Sequence, residues 1–113
     1  MALWEARPVA DVSVVRLARW RVYEVAEAGS RHFTGHNIDR DTGRVSTAIT
    51  AYDATTHRGC TQSGRVYELV GAPALAPDAD AEYVWQAWCA LNRVSAYVDV
   101  TREYAATPPA ALH

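Results

Sequence analysis

Asp80-Ala81-Glu82-Tyr83-Val84-Trp85-Gln86-Ala87-Trp88-Cys89-Ala90-Leu91-Asn92 is the one stretch of this chain whose apolar residues recur at helical spacing. At 100° per residue, Ala81, Val84, Trp85, Trp88 and Leu91 fall within about 120° of one another, while Glu82, Tyr83 and Gln86 lie elsewhere on the wheel. The pattern predicts one amphipathic helix over residues 79–92. Asp78 or Asp80 caps its start, Asp80 and Glu82 complement its dipole, and Asn92 stops it. Its two tryptophans demand a flat apolar surface, so Trp85 and Trp88 are expected in the core, packed with Trp20 on a sheet. Cys89 sits at the margin of the stripe and reads as a packing residue.

The sheet is legible on either side of that helix. Residues 14–26 are rich in Val, Trp, Tyr and Arg and stop at Glu27-Ala28-Gly29-Ser30, a strand and a turn. Residues 31–38 form a second strand that ends at Asp39-Arg40-Asp41-Thr42-Gly43, a hairpin loop by composition. Val45, Thr47, Ile49 and Ala51 alternate with Ser46, Ala48 and Thr50 as a third strand. A fourth runs over residues 58–70, with Gly64 as a bulge or bend. Residues 71–80 hold the main loop, and Val94, Ala96, Val98 and Val100 alternate as a fifth strand. The expected fold class is α+β: a single antiparallel sheet of about five strands in β-β-β-β-α-β order, with one helix across one face. Residues 1–113 then make a single small domain with a loose arm over residues 1–12 and a loose tail over residues 105–113.

Composition supports a folded chain and narrows its partners. Of 113 residues, 50% are apolar and 21% charged, an ordinary balance for a globular protein. The 11 cations are all arginine, and 13 acids outweigh them to a net charge of −2, so no global field draws the chain to nucleic acid or an anionic membrane. Arginine without lysine, together with abundant alanine, points to a GC-rich, bacterial genome rather than to a selected site. Trp4, Glu5, Arg7, Pro8 and Asp11 break up what a secretory signal would need to be apolar, and no stretch has the length of a membrane span. The expectation is a cytoplasmic protein whose two cysteines, Cys60 and Cys89, are free thiols.

Motifs with chemistry are sparse, and none is specific enough to name a family. No glycine-rich phosphate loop occurs, so no nucleotide cofactor is expected. His32 and His36 share a face of one strand but stand roughly 13 Å apart, too far to bridge one metal ion. His57 and Cys60 add an imidazole and a soft sulfur, which makes His32, His36, His57 and Cys60 the alternative metal set. Cys60 with His57, or else His32 or His36, as base and Asp53 as orienter is the alternative catalytic set, because a thiolate needs an adjacent imidazole or a helix N-terminus to lower its pKa. The acidic pairs at Asp39/Asp41 and Asp78/Asp80 are explained by turn and cap chemistry.

The most suggestive surface is made of arginine and tyrosine. Arg19, Arg21 and Tyr23 share one face of the first strand by the period of two, and Arg65 and Tyr67 share one face of the fourth. If the two faces coincide, guanidinium forks and phenol rings line a site for a small anionic ligand. The Arg21-Val22-Tyr23-Glu24 segment also recurs as Arg65-Val66-Tyr67-Glu68, and Gly43-Arg44-Val45 partly matches Gly64-Arg65-Val66, an echo ascribed to strand composition. Two functions are open on these residues. The leading one is a noncatalytic binding or interaction module, with a homodimer formed through an edge strand or the open sheet face. The alternative is a small metal-dependent or cysteine/histidine hydrolase.

Overall fold

The structure, a computed structural model, describes residues 14–105, so the arm over residues 1–12 and the tail beyond Ala105 lie outside it. Six strands come first: β1 (Val14–Val25), β2 (Arg31–Asn37), β3 (Thr42–Val45), β4 (Ile49–Asp53), β5 (Arg58–Thr61) and β6 (Val66–Leu69). Helix α1 (Ala79–Leu91), β7 (Tyr97–Asp99) and the short α2 (Thr101–Ala105) complete the chain order. The fold is α+β and the sheet mostly antiparallel, but seven strands stand where five were expected. Residues 45–51 split because the chain stays tied to β2 through Ser46, whose N–H donates to the Phe33 carbonyl and whose Oγ accepts the Phe33 N–H, and then bends at Thr47. Residues 58–70 split at Gly64, whose φ of 90° closes a tight turn with its N–H on the Thr61 carbonyl, so the bend is a hairpin.

Strand order is β3-β2-β1-β6-β5-β4, with β7 also on β1. The β1–β6 pair is parallel, with Val15 opposite Tyr67 and Leu17 opposite Leu69. Only the first part of β1 meets β6. Its last part, Tyr23 to Val25, pairs with β7 instead. The two edge strands β3 and β4 are consecutive in the chain and joined by residues 46–48 alone, which extend at most about 11 Å. The sheet therefore curls toward closure, β2 approaches β4, and Gly59 is required because a Cβ there would come within 2.5 Å of the Phe33 ring.

Curling makes two cores. Inside lie Val15, Leu17, Trp20, Val22, Phe33, Tyr67 and Leu69, plugged by Tyr104 of α2. Outside, Tyr23, Val25, Trp85 and Cys89 pack between β1 and α1. Trp20 is thus in a different core from Trp85 and Trp88, against the sequence expectation. The cause is a register shift between Ala18 and Arg21, where Arg19 takes a φ of 47°. A bulge resets the alternation, which puts Trp20 and Val22 on the same side as Leu17.

Helix α1 matches its sequence reading in extent. Asp78 is its N-cap, accepting the Ala81 N–H, and Asn92 its C-cap. Ala81, Trp85 and Cys89 are its buried residues, whereas Leu91 of the predicted stripe is exposed. Among the described residues no helix is long and apolar enough to cross a membrane.

Candidate functional site

At the start of β1 the curled sheet opens into a cleft of about 480 Å³, within the range of small-molecule sites. Val14 and Val15 form its floor. Asn37 closes β2, Arg40 belongs to the following turn, Arg44 comes from β3 and Arg65 precedes β6. Local chemistry fixes the turn: Asn37 Oδ1 accepts the N–H groups of Asp39 and Arg40, and Asp41 N–H returns to the Asn37 carbonyl.

The arginines converge because three separate elements end there. Arg44 Nε donates to the Tyr67 hydroxyl at 3.1 Å, with its guanidinium carbon 5.9 Å from the ring centroid. Tyr67 is almost fully buried, so its hydroxyl is a fixed post that orients the fork. The terminal nitrogens of Arg44 make no hydrogen bond to a described residue. Asp39 is the carboxylate on the cleft, and Arg16 Nη2 holds it at 2.8 Å. That hydrogen bond lowers the Asp39 pKa and leaves its charge matched. Three guanidinium groups thus line one cleft on a chain that is acidic as a whole.

The arginine and tyrosine set expected from the sequence is divided between the two faces. Tyr67 faces the inner core, packed on Phe33 at 5.6 Å, and Tyr23 faces α1, stacked on Trp85 at 4.9 Å. Tyr23 also donates to Glu82, and burial pushes its hydroxyl up to about 12, with the Glu82 charge adding to the rise. Arg21 is spent on Asp99 and the Leu75 carbonyl, and Arg19 on Asp78 at 2.7 Å. Only Arg65 and Tyr67 of that set belong to the cleft region. Arg40 and Arg44 escaped the sequence reading, although the echo of Gly43-Arg44-Val45 in Gly64-Arg65-Val66 marked two arginines that line one cleft.

The alternative sets also separate. His32 is buried against α1, with Nδ1 donating to the Ser46 carbonyl and Nε2 accepting from Ser30. His36 meets Asp41 at 3.1 Å. His57 Nδ1 lies 3.0 Å from the Tyr52 hydroxyl, on the inner side, because Tyr52 pairs with the inward-facing Gly59. Cys60 is the next residue along β5 and is exposed on the outer side, over a shallow cavity of about 390 Å³ that Asp53 and Arg58 also line. Asp53 itself accepts the Thr55 N–H in its turn. Among the described residues no three His, Cys, Asp or Glu side chains form a group that could hold a metal ion.

In comparisons with known proteins, no family model matches the chain, and no curated protein and no solved structure matches it.

Proposed function

We propose that this chain is a noncatalytic binding module for a small anion, phosphate-bearing or carboxylate-bearing, taken into the cleft of Arg40, Arg44 and Arg65. The observation that carries the reading is the placement of Arg44, locked by a buried tyrosine while its terminal nitrogens point to no described acceptor. A planar fork fixed at one end offers two parallel donors to an incoming carboxylate or phosphate at little entropic cost. Arg40 and Arg65 line the same cleft from two other elements, and Asn37 and Thr42 supply polar walls. The free state of both cysteines suits a reducing compartment, and the bacterial cytoplasm is the proposed place of action.

Calorimetric titration with inorganic phosphate, a sugar monophosphate and citrate tests the reading. Saturable binding of at least one of the three is expected, with a dissociation constant near or below about 1 mM. Arg44→Ala should weaken it at least tenfold, and Arg21→Ala, on the other face, should leave it unchanged. Absence of saturable binding by all three, or equal loss in both variants, overturns it.

A further inference from the structure

The surface of α1 that faces away from the sheet is apolar where a solvated helix would be charged. From Tyr83 to Leu91 the helix carries no charged residue. Trp85 and Cys89 serve the outer core, but Tyr83 is 77% and Leu91 84% exposed, with Ala87 and Ala90 exposed between them. These four residues make one stripe along the outside of the helix, at the spacings that bring side chains onto a common face. A helix that is apolar on both faces is normally covered on both.

Much of the sheet is already occupied within one copy. Its inner face is filled by the core that contains Trp20, Phe33 and Tyr67. Its outer face around β1 to β3 is occupied by α1, which packs most closely on β3 and so covers that edge. The other edge, β4, is five residues long and carries a register irregularity between Ile49 and Ala51, the kind of feature that resists edge pairing.

We propose that α1 is the interface of a symmetric homodimer, two copies crossing with their helices antiparallel about Ala87. The arrangement is self-complementary residue by residue. Tyr83 and Leu91 are each four positions from Ala87, so a twofold axis there lays Tyr83 of one copy on the partner copy's Leu91, while Ala87 and Ala90 let the backbones approach. The charges agree with the same register. Asp80 and Glu82 lie in the first turn, Arg93 lies just past the C-cap, and the side chains of Asp80 and Arg93 make no hydrogen bond or ion pair with a described residue. Antiparallel crossing brings Arg93 beside the partner copy's Asp80 and opposes the two helix dipoles. A parallel crossing would place acid against acid. The occupant that fits this face is a second copy of this chain.

Sedimentation velocity over a concentration series of the full chain reads the outcome. The wild type should shift from one chain to two across the micromolar range. Ala87→Glu, a good helix former at an exposed site, should stay at the mass of one chain, with a melting temperature equal to that of the wild type at concentrations where the wild type is also one chain. Arg93→Asp, which the left-handed backbone at that position tolerates, should weaken the dimer at least fivefold, and adding Asp80→Arg should restore it. A wild type that remains at one chain at about 0.5 mM overturns the proposal, as does a dimer that survives Ala87→Glu. Failure of the charge swap to restore association overturns the antiparallel register.

Discussion

His32 lies over the indole of Trp88 with ring centroids 4.5 Å apart, and its Nδ1 is held 2.9 Å from the Ser46 carbonyl. The imidazole joins three elements at once: its own strand β2, the β3–β4 link at Ser46, and α1. Among the described residues its two ring nitrogens meet the Ser46 carbonyl and the Ser30 hydroxyl, and neither meets a carboxylate. Nδ1 already donates to Ser46, so the neutral ring keeps Nε2 as acceptor for the Ser30 hydroxyl.

Burial lowers the His32 pKa from its ordinary 6.5. The unfolded chain takes up a proton at that position near pH 6.5 that the folded chain takes up only at lower pH. Stability from this group is therefore full above pH 6.5 and falls as the pH drops below it, until the folded form also protonates. Urea unfolding at pH 7.5 and 5.5 should show the wild type weaker at the lower pH. His32→Gln should flatten that difference, and an equal pH response in both proteins would remove the assignment.

Tyr67 serves the cleft through its hydroxyl and the core through its ring. Tyr67→Phe retains the ring, so its cost in stability should be about 1 kcal/mol, the ordinary value of one hydrogen bond. Anion affinity should fall severalfold because Arg44 loses its post. Calorimetry on the variant separates the two roles, and undiminished affinity would show that Arg44 is oriented by something else.

Gly59 faces the Phe33 ring with no room for a side chain. Gly59→Val should destabilise the fold by about 2 kcal/mol or more, within the range for overpacking. Gly29, whose added Cβ would meet nothing within 4 Å, has a φ of 71° and so is limited by its backbone alone. Denaturant midpoints for Gly59→Val and Gly29→Asn should differ by that margin, since Asn accepts the left-handed region.

Trp20 and Trp85 belong to separate clusters, one on each side of the sheet. Trp20→Phe and Trp85→Phe should each destabilise, and the double variant should lose the sum to within about 0.5 kcal/mol. A large coupling energy would mean that the two indoles touch, as the apolar pattern of the sequence suggests.

The separation of those two indoles shows where sequence patterns stop being informative. Helix α1 was legible to within a residue at either end because Asp78 and Asn92 are strong local signals flanking an unbroken periodic run. Strands β1 and β2 were legible for similar reasons. The bulge at Arg19 was not, since a non-glycine residue at positive φ leaves no mark in composition. One shifted residue exchanged the two faces for everything after it, and the tyrosines expected at one site ended on opposite sides. The parallel β1–β6 pair and the closing curl are long-range choices that no window of sequence contains. Helix α2 was missed because five residues are too few to show a period. Arg65 was found through strand parity, whereas Arg40 and Arg44 come to the cleft by turn geometry and tertiary closure.

On the side of β1 opposite β2, two partners divide the strand: β6 covers its start and β7, from near the end of the described chain, covers its finish. On a chain made from the N-terminus onward, β1 and β2 can pair early as a hairpin, but the other side of β1 stays unsatisfied through most of synthesis. The Val22 N–H waits for the Thr101 hydroxyl, and the Val22 carbonyl for the Val100 N–H. Long-range pairings of this kind raise contact order and slow folding. The native sheet is thus assembled only after nearly the whole described chain has emerged, and a ribosome stalled anywhere before β7 would display β1 with a raw edge.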